Sequence, residues 1–321
     1  MVRANEANDS MRRFLKIAGI VLLALVGVAA IALVVLLQGP GVPGHSDYQI
    51  DLATLRKLAD QQGGARPVKI NAAEVARADV PAAFFLGGVR FDRQAAVFPA
   101  YQILYADNSM IVVDAPPGRA FFEAQFPGGF DDAAYRAEQD ALTHARAIVI
   151  THEHADHLQG IAESPNLAAF ADHLMLTREQ RDDTKWLQAC KFPENVRASL
   201  KPLDYDHYYP LAPGVVLIKA PGHTVGSQIV YVRLADDTEY LLIGDVAWAM
   251  EQVTTPKCRP RLAELAMGES SDQVTSELRT LHDLAFANPK LHIVVAHDAI
   301  QLAGYESRGK IGRGFAGVAG H

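Results

Sequence analysis

The chain has 321 residues, a formal net charge of −7, 49 % hydrophobic and 21 % charged residues, which suits a globular protein with one large core or two modest ones. No Lys/Arg cluster lies outside the N-terminus, so the composition argues against a nucleic-acid partner. Cys190 and Cys258 are too few for a Cys-rich metal site or a disulfide framework; they read as two isolated thiols, with a single disulfide as the alternative in an oxidising compartment.

Residues 17–37, IAGIVLLALVGVAAIALVVLL, hold no charged or strongly polar side chain. As a helix they would span about 30 Å, the thickness of a bilayer's hydrocarbon core. Gln38-Gly39-Pro40-Gly41 is a poor cleavage site, so an uncleaved anchor is expected rather than a secretory signal. Arg3, Arg12, Arg13 and Lys16 precede the span and no Lys or Arg follows it before Arg56. The positive-inside rule then places a basic segment, 1–16, in the cytoplasm and everything after the span outside, the periplasm in a Gram-negative cell. Residues 38–50, with GPGVPGHS at 39–46, read as a linker, and 51–321 as one folded domain.

Within that domain, 51–62 shows helical spacing, with Leu52, Leu55 and Leu58 on one side. Segments 82–91, 97–105 and 110–114 read as strands, with ADNS at 106–109 as a hairpin turn. A helix is expected over 131–145 and a short buried strand over 147–151. Strands follow at 215–219, 228–234 and 239–244, with ADDT at 235–238 turning between the last two. Ser271 is placed as the cap of a helix carrying Val274, Leu278, Leu281 and Leu284, and 291–296 as a further buried strand. Strands mixed with flanking helices argue for an α/β sandwich.

The densest chemistry is THEHADH, residues 151–157, directly after a buried strand. Alternate positions on extended backbone point the same way, so His152 and His154 can reach one ion. A turn into helix near Ala155 would swing Asp156 and His157 towards a second. Imidazole with carboxylate suits zinc, and also iron or manganese. Further ligands stand where later strands end: His223 in APGHTVGS, Asp245 in LLIGDVAW and His297 in IVVAHD. Open α/β architectures gather functional groups at such strand ends. Glu153, between two ligand positions, is expected to point away. His45, His144, His173, His207, His282, His292 and His321 read as non-ligands, and Asp204–Asp206 as a solvated loop. Phe84, Phe85, Phe91 and Phe98 are candidates for a pocket entrance, and Tyr208-Tyr209 weaker candidates for substrate contact.

The pattern His152-x-His154-x-Asp156-His157, then Gly222-His223, Gly244-Asp245 and Ala296-His297, resembles the metallo-β-lactamase fold superfamily of metallohydrolases over roughly residues 80–305. The resemblance implies an αββα four-layer sandwich of two mixed sheets flanked by helices. It implies His152, His154 and His223 on one metal, Asp156, His157 and His297 on another, and Asp245 bridging the two. A hydroxide between the ions would be the nucleophile, and Asp156 or Asp245 would pass a proton to the leaving group. Asp114, closing MIVVD, matches an Asp that orients a ligand.

The bridging Asp245 argues against β-lactam hydrolysis, because the superfamily's true β-lactamases use Cys or Ser in that region. The acidic balance weighs against phosphodiester cleavage by a nuclease. Acyl-homoserine-lactone lactonases and glyoxalase II-like thioesterases are similar to this pattern, and His297-Asp298 is similar to the final lactonase motif. Where those lactonases carry a Tyr, three residues after the bridging Asp, this chain has Trp248, which can donate a hydrogen bond but not exchange a proton as phenol does. The expectation is a membrane-anchored hydrolase of a small acyl ester, lactone or thioester, holding two divalent ions, most simply zinc; the resemblance leaves a homodimer open, since family members often dimerise. The alternative is a mononuclear-iron redox enzyme or a metal-dependent binding module.

Overall fold

The computed structural model describes residues 2–88 and 90–317, with side chains from residue 11 onward; Met1, Val89 and 318–321, and with them the expectation for His321, lie outside the described residues. Apolar β-branched runs build two sheets packed face to face. The first takes β1 (Lys69–Pro81), β2 (Arg93–Leu104), β3 (Met110–Val113), β4 (Gly128–Phe130), β5 (Ala147–Val149) and, at the far end of the chain, β11 (Gly312–Arg313), in the order β11-β1-β2-β3-β5 with β4 also pairing β1. The second takes β6 (Tyr208–Ala212), β7 (Val215–Lys219), β8 (Gln228–Arg233), β9 (Glu239–Leu242) and β10 (Leu291–Val294), in the order β10-β9-β8-β7-β6. Parallel pairs (β3 with β5, β9 with β10) sit beside antiparallel ones, so both sheets are mixed.

Burial follows from the pleat. Ile103, Ile111 and Val113 of the first sheet meet Leu217, Val230 and Leu242 of the second in the central core. The opposite face of the second sheet, with Val216, Ile218 and Tyr231, packs on helices Leu52–Gln61 and Ser271–Ala287. The opposite face of the first, with Val112 and Ile148, packs on helices Asp132–His144 and Ala155–Ala162. The result is the expected αββα sandwich. Asp51 and Asp131 cap their helices by accepting the free amide hydrogens of the first turn.

The long helix Val2–Leu37 precedes this sandwich. Its stretch Met11–Leu37 is apolar enough to cross a membrane and none of its most apolar window is buried against the rest of the chain. Residues 38–50 behave as more than a spacer. Ser46 Oγ reaches Ser276 O at 2.7 Å, Thr280 Oγ1 reaches Tyr48 O at 2.6 Å, and Ile50 is buried.

Two expectations need correction, and one strand went unread. Residues 82–91 are not a strand: Pro81 closes β1, a short 3₁₀ turn covers Ala82–Phe84, and the chain then loops to β2. The strand that was missed is β1. Its alanines, 72, 73, 76 and 78, favour helix locally, but the segment pairs with β2, β4 and β11 and is buried on both faces, so tertiary pairing overrides propensity. Ser271 is not a cap: Ser270 occupies that position without a side-chain bond, and Ser271 Oγ donates to Glu264 Oε2 at 2.7 Å. The two cysteines are free and buried, as isolated thiols.

Candidate metal centre

Five strand ends converge between the sheets. After β3 the chain turns at Asp114, after β5 at 151–157, after β7 at His223, after β9 at Asp245 and after β10 at His297. Two of these turns are conformationally demanding. Asp114 has φ 61°, and Gly244 has φ 51° with its Cα so near Thr151 that a Cβ would lie 2.6 Å from Thr151 Cβ. Positive φ is uncommon outside glycine, and here it aims two carboxylates inward.

All seven sequence-selected histidines and aspartates meet. His152, His154, His223 and Asp245 form one group, and Asp156, His157, Asp245 and His297 a second, each with its potential ligand atoms within 4.8 Å of one another. Asp245 belongs to both. Its Oδ2 lies 3.3 Å from His223 Nε2 and 3.7 Å from His152 Nε2, and its Oδ1 lies 3.2 Å from Nε2 of both His157 and His297. Asp156 Oδ2 stands 3.4 Å from His297 Nε2 and 3.6 Å from His157 Nε2.

Polar partners behind the imidazoles fix their orientation. Asp114 Oδ2 meets His157 Nδ1 at 2.9 Å while its other oxygen accepts from Thr151 N at 2.6 Å. Val97 O meets His297 Nδ1 at 2.8 Å, and Glu269 meets His223 Nδ1. A backbone carbonyl or carboxylate on one ring nitrogen leaves the other free to coordinate.

The electrostatics fit two cations. Burial pushes the His152 and His154 imidazoles well below their usual range, so they are neutral and offer a lone pair. Burial likewise opposes charge on His157, His223 and His297, but neighbouring carboxylates, Asp114 for His157 and Asp245 for the other two, outweigh it and raise them. Burial works against Asp245 ionising; the surrounding histidines, His297 first, overcome this and hold it well below the carboxylate range. His152 Nε2, His154 Nε2, His157 Nε2 and Asp245 Oδ1 are buried with no hydrogen-bond partner. Four such orphaned atoms in one cage are costly without a ligand. The donor set, imidazoles and carboxylates in two groups of four, fits two divalent metal ions.

No protein-family model matches the chain, and no curated protein is similar to it in sequence. Solved structures are similar in shape. An N-acyl homoserine lactone hydrolase, with the product N-hexanoyl-L-homoserine bound at its catalytic metal centre, superposes with a TM-score of 0.59 at 15 % identity, covering 74 % of this chain and 96 % of the other. AidC, a dizinc quorum-quenching lactonase, gives 0.51 at 15 % identity over 75 % of this chain and 92 % of its own. The hydrolase AbOPH, of the β-lactamase superfamily, gives 0.53 at 15 % identity over 75 % and 92 %. This chain has the metallo-β-lactamase fold.

Within this metallo-β-lactamase fold, several residues around the centre carried no sequence signal. Arg259 is wholly buried. Its guanidinium donates to Glu269 Oε1 at 2.5 Å and to Asp245 O at 2.8 Å, and lies 4.8 Å from the Trp248 ring centre. It thereby ties together the backbone of Asp245 and the carboxylate behind His223. Trp186 packs its ring 4.1 Å from that of His154. In a chain that is one-fifth charged, Arg259 and Glu269, ten positions apart among Lys257, Arg261 and Glu264, look like surface residues until the fold buries them together.

Trp248 Nε1 donates to Asp245 Oδ2 at 2.6 Å, and Gln252 Oε1 holds the Trp248 backbone. The indole therefore touches the shared carboxylate as well as walling the cavity beside it. Glu153 points away, accepting from Thr224 Oγ1 at 2.9 Å and Gly226 N, and burial raises it to about 7. Asp204 pairs with exposed Arg178. Tyr208 Oη accepts from Asp51 N on the edge strand β6, so it braces the first helix of the sandwich rather than the centre.

An apolar cavity of about 410 Å³ adjoins the second group, lined by Phe84, Phe85, Phe98, Phe126 and Trp248, with Asp156 and His297 at its floor. Three of the four expected phenylalanines are there. Phe91 is not: it is 94 % exposed.

Proposed function

We propose that this chain is a membrane-anchored dinuclear metallohydrolase that cleaves an ester, lactone or thioester. The observation that carries the reading is the pair of four-residue His/Asp groups sharing Asp245, with Asp156 and His297 of the second group lining an apolar cavity. His152, His154 and His223 would hold one ion, Asp156, His157 and His297 the other, and Asp245 both. When bound, the ions would supply hydroxide at neutral pH by lowering the pKa of water and would polarise the scissile carbonyl. Zinc is the expected metal for this donor set. The product bound in the similar lactonases, N-hexanoyl-L-homoserine, is what hydrolysis of a lactone of the proposed class yields.

The chain's own groups have distinct tasks. Asp114, Val97 O and Glu269 each hold a histidine ring so that its inward nitrogen faces the cage. Trp248 Nε1 fixes the rotamer of Asp245. Asp156 is the least buried of the seven and faces the cavity, so its carboxylate can accept the proton given up by the attacking water or hydroxide and pass it to the leaving oxygen or sulfur. The apolar wall takes the acyl portion and excludes water.

Residues 17–37 would span the membrane, with 1–16 in the cytoplasm, 38–50 joining the anchor to the hydrolase domain, and 51–321 outside. The reading is tested by counting metals in the purified chain and screening lactones, thioesters, β-lactams and phosphodiesters. Two zinc ions per chain with turnover of lactone or thioester, and loss of both the second ion and nearly all turnover in Asp245→Asn with the fold retained, are expected. One iron per chain with no hydrolysis would replace this reading with the redox alternative.

A further inference from the structure

The end of the long N-terminal helix is fastened to the cavity wall. Gly88 N donates to Leu37 O at 2.6 Å, Gly87 N to Cys258 O at 2.9 Å and Arg261 N to Gln38 O at 3.0 Å. Gly39 and Gly87 touch so closely that a Cβ on Gly87 would collide with the Gly39 backbone, and one on Gly39 with that of Cys258 and Arg259. The loop held by this clasp is the one that supplies Phe84 and Phe85 to the cavity. The cavity mouth is thus tied to the point where the apolar helix ends.

Apolar side chains stand exposed around that point. Phe84 is 47 % exposed at the mouth, and Phe91, three residues past Gly88, is 94 % exposed; three residues of chain reach at most about 10 Å. Across the clasp, helix Arg261–Met267 presents Leu262 and Leu265, 47 % and 72 % exposed, one turn apart on one face. Exposed Lys257 and Arg261 flank them. Scattered exposed apolar residues are ordinary, but a group next to a helix of membrane-spanning character, rimmed by basic side chains, matches a surface seated at the headgroup level of a bilayer. The cavity behind is walled by phenylalanines, and its one cationic lining residue, Arg93, is paired with Asp79. Such walls take an acyl chain rather than a charged group.

Resting on the hydrolase and anchor reading above, we propose that the cavity mouth opens against the bilayer that holds the N-terminal helix, and that the substrate is an amphiphile whose acyl chain passes from that bilayer along Phe91 and Phe84 into the cavity, leaving its carbonyl beside Asp156 and His297.

The test uses the full-length chain, loaded with zinc, in phosphatidylcholine vesicles. A nitroxide is attached at Phe91→Cys and, separately, at Lys290→Cys on an exposed turn at the opposite end of β10; the native thiols are buried, which confines labelling to the new site. The label at 91 should be more accessible to dissolved oxygen than to a water-soluble nickel chelate, and the label at 290 the reverse. In the unsubstituted chain, kcat/KM for N-dodecanoyl-L-homoserine lactone should exceed that for the N-butanoyl analogue by about tenfold or more, given the burial of eight further methylenes. A label at 91 as water-exposed as that at 290, or equal kcat/KM for the two lactones, overturns the proposal while the hydrolase reading stands. No turnover of either lactone, with lactone and thioester screens also blank, removes the hydrolase reading and the substrate half of this proposal with it, whatever the label reports.

Discussion

At the scale of single residues, the centre was legible where chemistry and position coincide. A histidine or aspartate right after an apolar strand has few reasons to be there other than a site, and His152, His223, Asp245 and His297 all meet that condition. Glu269 does not. It lies in the short gap between helices Arg261–Met267 and Ser271–Ala287, and only the fold brings it to His223 Nδ1. Its role yields a prediction separable from the ligands themselves. In Glu269→Gln the carboxylate that stabilises the proton on His223 Nδ1 is lost, while shape is kept. Metal affinity should fall by about 10–100-fold, read by competition with a chromogenic chelator, with the far-UV circular dichroism unchanged. Wild-type affinity in this variant would reduce Glu269 to a partner of Arg259 alone.

At the scale of elements, strands rich in Val, Ile and Leu were readable because their side chains carry both burial and β preference. β7 falls on 215–219 as expected, and β8 and β9 are displaced only at their ends. β1 was hidden because its alanines favour helix locally; its identity as a strand comes from three neighbouring strands. The turn after β9 was legible as the pair Gly244-Asp245; the structure shows why glycine stands there. Gly244→Ala meets both a left-handed φ and the side chain of Thr151. It should destabilise the domain by about 2 kcal/mol, measured as a lower urea midpoint, and displace Asp245, so metal binding should weaken with it. A variant with an unchanged midpoint would mean the turn relaxes without strain.

At the scale of the whole molecule, the boundary between the long apolar helix and the folded domain lies nearer residue 38 than 51. Tyr48 Oη donates to Lys219 O at 2.8 Å, Ser46 is bonded to Ser276, and Ile50 joins the core under the second sheet. A soluble chain beginning at residue 38 should therefore keep nearly all of its stability, losing only the Leu37 O contact with Gly88 N. One beginning at residue 51 loses a buried isoleucine and these hydrogen bonds, and should be less stable by about 3 kcal/mol or more, read from urea titrations of the two fragments. Equal midpoints would make 38–50 a true spacer.

Stability should also depend on pH through Glu277, which lies wholly buried in helix Ser271–Ala287 beneath the His223 loop. One oxygen accepts from Gly222 N at 3.0 Å and the other has no partner. Burial raises its folded-state pKa to about 8, against 4.5 for the free side chain. Between those values the folded chain holds a proton that the unfolded chain has released. The state binding more protons is favoured by acid, so this group's contribution is largest below about pH 4.5 and declines as pH rises towards 8. The decline can reach about 1.4 kcal/mol per pH unit, the value of one full proton. Glu277→Gln keeps the shape and abolishes the titration. With zinc saturating both proteins, the wild type should lose stability relative to this variant as pH is raised from 5.5 to 7.5, seen as a widening gap in urea midpoint. A gap that stays constant across that range would show that Glu277 ionises in the fold as readily as it does in water, and that the cations expected beyond Gly222 and His223 supply the missing compensation.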